Sequence, residues 1–169
     1  MSNFTERMIR AAKLDASLYE EVEADKTAMG QAMGVVVLSS LAAGIGSASM
    51  GGRNFIVVTI AALVGWYIWA YLTYFIGTKL LAETQTEADH GELLRTIGFS
   101  SSPGLIRILG IIPGFTNLVF AVAGIWMLIA MVIAVRQALD YTSTLRAVGV
   151  CLIGWIIQSI FVGFLLLFA

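Results

Sequence analysis

The sequence predicts an all-α integral membrane protein: a helical bundle of about five spans, with a broken third segment and an amphipathic N-terminal helix. Three observations predict it. Of the 169 residues, 59% are hydrophobic and 12% charged, about half the charged share of a soluble domain. Charge-free stretches cover Thr27–Gly52, Asn54–Thr78, Ile108–Val135 and Ala147–Ala169. Each exceeds the roughly 20 apolar residues that cross a bilayer. The charges are also gathered, ten in Met1–Lys26 and six in Lys79–Arg95. A soluble globule of this size has room for one such helix, not four. The pattern excludes a soluble enzyme, a nucleic-acid-binding domain and a secreted disulfide scaffold. Cys151 and His90 are the only residues of their kinds, so neither an intrachain disulfide nor a multi-histidine metal site is expected. No phosphate-binding glycine motif is present, and no cofactor is expected.

Met1–Lys26 reads as a cytosolic polar helix, separate from a membrane domain over 27–169. Phe4 and Met8, then Leu14, Leu18 and Val22, recur at four-residue spacing among charged residues. Such a helix either docks on the protein's own loops, the commoner use, or rests on anionic headgroups. The first span, about Ala28–Ser49, carries two small-residue pairs, Gly30 with Gly34 and Ser40 with Gly44. Small residues let helix backbones approach closely in lipid. Met50–Asn54 is expected to turn the chain. The second span, about Phe55–Leu80, places Tyr67, Tyr71, Tyr74 and Thr78 on one face. Hydroxyls at membrane depth need partners, so this stripe is expected to face protein or water. Lys79–Arg95 reads as a solvated acidic loop.

Leu93–Ile112 is apolar enough to span but is interrupted by Gly98, Ser100, Ser101, Ser102, Pro103 and Gly104. Two short helices are expected, one ending near Phe99 and one running from Pro103 to Gly110, with Ser102 as a cap. Arg107 lies in the second. A charge and irregular backbone at membrane depth are tolerated against protein or a water-filled cavity, or where the arginine reaches an interface. After Pro113–Gly114, a helix of about Thr116–Asp140 and a last span of about Leu145–Phe168 follow. Gln158 in the last span is expected to join helices, worth about 1 kcal/mol.

With five spans and a cytoplasmic N-terminus, eight Lys and Arg face inward and only Arg53 clearly outward. A re-entrant third segment changes that ratio to seven against three. The positive-inside rule therefore favours five spans in a plasma or inner membrane, with the C-terminus outside.

The run from Arg95 through Ser100-Ser-Ser-Pro-Gly104 and Arg107 to Pro113-Gly114, followed by a helix bearing Trp126, resembles the Yip (Ypt-interacting-protein) family, in its prokaryotic branch. The resemblance covers most of the chain from about Thr27. It implies about five spans and a cytosolic N-terminus, and it supplies no catalytic residues. Eukaryotic relatives are implicated in vesicle trafficking and bind small prenylated GTPases. Their tyrosine- and proline-containing N-terminal motif is not seen here.

Three functions follow for comparison. The favoured one is a non-enzymatic membrane scaffold, assembly or trafficking-like interaction protein. Its partners would be the lipid bilayer and membrane proteins or further copies of itself, with no nucleic acid. The second is a small transporter or channel using Arg107, the serines at 100–102 and the tyrosine stripe. The third, a membrane-embedded enzyme, lacks paired catalytic groups.

Overall fold

The computed structural model describes residues 3–47 and 55–167, and every regular element among them is helical. The chain runs through α1 (Phe4–Ala12), α2 (Ala16–Ala24), a 3₁₀ turn (Lys26–Ala28), α3 (Met29–Gly46) and α4 (Phe55–Phe75). A π-helical turn over Ile76–Leu80 extends α4, and α5 (His90–Ser100) leads into a 3₁₀ helix (Ser102–Ile111). Two long helices, α6 (Thr116–Ala138) and α7 (Thr144–Leu167), complete the described chain. The segments Lys26–Gly46 and Thr116–Ala138 are each long and apolar enough to cross a bilayer. The expected turn at Met50–Asn54, including Arg53, lies outside the described residues.

The N-terminal segment is a hairpin of two helices, not one helix. Leu14 takes a left-handed φ of 63°, and Asp15 caps α2 by accepting from the Ser17 amide at 3.0 Å. Four-residue apolar spacing continues through the break, so periodicity alone conceals it. Ala11, Leu18, Tyr19 and Val22 share one core with Ala28, Ala32, Val35, Phe99 and Ala134.

The broken third segment is as expected in its break, and more irregular in its second half. α5 ends at Ser100 and the following ten residues are 3₁₀ rather than α. Ser102 is not a side-chain cap, because its hydroxyl donates back to the Phe99 carbonyl at 2.7 Å. Together α5 and the 3₁₀ helix run beside α3 in the same direction. A Cβ placed on Gly91 would lie 3.9 Å from Met29, and one on Gly98 would lie 2.7 Å from the Ala32 Cβ. Further on, Gly104 meets Ser39, and Gly46 meets the Arg107 carbonyl. The pair therefore follows α3 from its first turn to its last, a helix of 18 residues or about 27 Å.

Those glycines set the spacing between the two segments. The expected small-residue pairs play other parts. Gly34 receives the ring of α1's Phe4, Gly30 faces open space, and Ser40 faces α4 through Thr59 Oγ1 at 3.3 Å. Gly44 is half-buried and its carbonyl accepts from Ser47.

The opposite side of the bundle is closed by a second core, in which Trp69, Ala70 and Ile76 pack against Leu93, Val135, Leu139, Val150 and Cys151. Trp66 joins it, donating to the Leu94 carbonyl at 3.0 Å. The π-turn after α4 leaves carbonyls without ordinary helical partners. The Tyr141 hydroxyl lies 2.8 Å from the Gly77 carbonyl and 3.0 Å from that of Leu81, donating between them.

Candidate functional site

The hairpin is fixed to the bundle by side-chain hydrogen bonds from α5 and α6. Arg95 on α5 is buried and donates to the carbonyls of Val22 (2.9 Å) and Glu23. Trp126, ten residues into α6, donates to the Ala12 carbonyl at 2.8 Å. Gln137, near the end of α6, donates to Glu20 at 2.7 Å. Within the hairpin, Arg7 is only 3% exposed. Its guanidinium pairs with Glu21 and Asp25, and bonds Gln31 at the start of α3. The hairpin thus lies along α6 from its end to its middle. The polar residues that would suit a free solvated helix are instead used to dock it.

Where α2, α5 and the end of α6 meet there is a cleft of about 630 Å³. Glu20, Glu23, Glu92, Asp140 and Arg136 line it, with Tyr141 and Thr142 at one edge. Burial, with the charges of Asp140 and Glu92, raises the Glu23 carboxyl to about 7, while Arg95 opposes the shift. The raised value has a definite consequence for stability. Between the ordinary carboxyl range and about pH 7, the unfolded chain gives up this proton while the folded chain keeps it. Glu23 therefore weakens the folded state progressively as pH rises through that window, with its full cost present above it. The thermal midpoint of the solubilised protein should fall between pH 5 and pH 8, and Glu23→Gln should reduce that fall. An unchanged slope in the variant would remove Glu23 as the cause.

The connection 81–89 is not simply solvated. Glu83 accepts from the Thr142 amide (3.0 Å), the Thr142 hydroxyl (2.8 Å) and the Ser143 amide (3.4 Å) at the start of α7, and faces Arg146. The bonds from Thr142 come first among the causes that lower its carboxyl to about 2. Asp89 and Glu92 form a reciprocal cap on α5, with bonds of 2.8 and 2.7 Å. His90 lies edge-on to Tyr67, Tyr71 and Tyr74, with ring centroids 5.0, 5.7 and 6.4 Å away. No spacing along the chain points to this cluster, because α4 and residue 90 are joined only by the tertiary fold. Along the stripe, Tyr67 and Tyr71 are 56% and 57% exposed, while Tyr74 and Thr78 are half-buried. α4 uses its other side, with Trp69, Ala70 and Thr73, to pack inward.

The remaining candidates are not brought to one place. Ser100 and Ser102 are buried, and their hydroxyls return to the carbonyls of Ile97 and Phe99, both at 2.7 Å. Ser101 is half-buried and ends α5. Arg107 sits at the far end of α3, its guanidinium 5.6 Å from the centre of the Phe120 ring. The tyrosine stripe meets the start of α5, at the other end. Gln158 stands half-exposed on α7. No group of three or more metal-ligating side chains is present among the described residues.

An all-helical bundle with long apolar helices and a docked polar hairpin at one end belongs to the class of helical membrane proteins. The Yip1 domain matches residues 20–167, and the chain belongs to that family. The match begins inside α2, so the second half of the hairpin is part of the family unit. No curated protein and no solved structure matched the chain.

Proposed function

We propose that this protein is a non-enzymatic membrane scaffold or trafficking-like interaction protein of the prokaryotic Yip branch, working from the face built by α1, α2 and the α6–α7 connection. Family membership over residues 20–167 carries the reading. The hairpin supports it, because it presents a fixed polar surface in place of a loose tail. We place this face in the cytoplasm and the C-terminus outside, across about five spans of the plasma or inner membrane. The clustered Lys and Arg support that orientation. The course of α5 and the 3₁₀ helix along the whole of α3 supports a third crossing. The serine hydroxyls, already bonded to backbone, weigh against a polar substrate path at the break.

The test is co-isolation in a gentle detergent at native expression, with wild type beside a Glu20→Gln/Asp140→Asn variant. Stable membrane-protein partners or a homo-oligomer are expected from wild type, with reduced recovery from a variant of unchanged thermal midpoint. A strictly monomeric particle without crosslinked neighbours would overturn the reading.

A further inference from the structure

We infer that Arg107 binds the phosphate of a lipid headgroup at the end of the bundle opposite the N-terminal hairpin. The inference rests on the membrane reading above and goes beyond it by naming a ligand. The guanidinium is half-buried over the Phe120 ring, and its Nε is buried without a hydrogen-bond partner. A cation held this way is costly unless an anion meets it. The chain supplies no carboxylate side chain there. All eleven Asp and Glu belong to the hairpin, to residues 83–92, or to Asp140. None occurs in residues 27–82 or 93–139.

The position selects the missing anion. Arg107 packs against the last turn of α3, where its carbonyl meets Gly46. α6 begins close by, after Phe115, without a side-chain cap. Uncapped first-turn amides and a helix dipole favour negative charge at that same end. Ile108, Leu109, Phe115 and Leu118 beside it are exposed and apolar, suited to acyl chains rather than to water. Guanidinium matches phosphate oxygens in a bidentate manner that an ammonium cannot reproduce. An anionic phospholipid meets both requirements, phosphate for Arg107 and hydrocarbon for its neighbours.

Native mass spectrometry of protein released from nanodiscs of phosphatidylglycerol and phosphatidylcholine tests this. Wild type should retain bound phosphatidylglycerol, and Arg107→Gln should reduce that occupancy at least fivefold. Arg107→Lys should reduce it severalfold, and it decides the matter if the glutamine variant does not fold. Arg136→Gln, at the hairpin end, should leave it unchanged. Excess inorganic phosphate should not displace the lipid. Equal occupancy in wild type and the Arg107 variants would overturn the inference, as would equal loss in Arg136→Gln. Displacement by inorganic phosphate would overturn the lipid as the source. Resistance of the wild-type protein to alkaline extraction from membranes, measured alongside, keeps failure of this site distinct from failure of the membrane reading.

Discussion

Replacing Arg95 with methionine should release the N-terminal hairpin while leaving the α6–α7 side of the bundle in place. Arg95 is 4% exposed and donates to the carbonyls of Val22 and Glu23. Methionine fills similar space but leaves both carbonyls unbonded, and each buried unpaired group costs roughly 1–3 kcal/mol. The loss also removes a cation that opposes the raised Glu23 carboxyl. A total near 3 kcal/mol speeds local opening by more than a hundredfold. Hydrogen exchange should show this in the amides of α2, with α6 and α7 little changed. Arg10→Ala is the contrast. Arg10 also pairs with Asp15 and Glu21, but its side chain is 25% exposed, and such bridges are worth about 0–1 kcal/mol. Equal effects from the two variants would mean that the buried arginine does not hold the hairpin.

The second large effect concerns the contact between α3 and the 3₁₀ helix. A methyl group on Gly46 would run into the Arg107 carbonyl, which is backbone and cannot rotate away. Overpacking of this kind costs about 1–3 kcal/mol, occasionally more. Alanine's better helix propensity returns at most about 1 kcal/mol. Gly46→Ala should therefore lower the thermal midpoint in detergent by several degrees. Gly30→Ala adds a methyl to open space on the same helix and should leave the midpoint unchanged or slightly raised. If the two variants melt alike, the parallel course of the third segment along α3 is wrong.

These two sites show where sequence reading succeeds and where it stops. Long charge-free stretches, trimmed at their turn residues, mark α3, α4, α6 and α7 to within a few residues, because a hydrocarbon environment demands unbroken apolar helices. The break between Phe99 and Pro103 was equally legible, since serine, proline and glycine interrupt a helix locally. Small-residue spacing along one helix pointed instead to Gly30 and Gly34. The close approaches between α3 and the third segment involve Gly46, Gly98 and Gly104, which lie on different elements and share no spacing rule. The hairpin break at Leu14 uses neither glycine nor proline, and the apolar period runs through it. Arg7 and Arg95 looked like solvating charges, because only the folded chain supplies the carboxylates and carbonyls that take them out of water. Glu83 and His90 are similar: one caps a helix 60 residues onward, the other meets a helix about 20 residues back.

The central claim is that the hairpin face of a membrane-embedded Yip-family bundle meets protein partners. Site-specific photo-crosslinking in intact cells tests it most directly. A photoreactive residue at Gln137, lining the cleft, is compared with one at Leu118, on the exposed apolar side of α6. Discrete protein adducts from Gln137 that weaken with the Glu20→Gln/Asp140→Asn change are the expected result. Adducts arising only from Leu118, or none from Gln137 at native expression, would contradict the account.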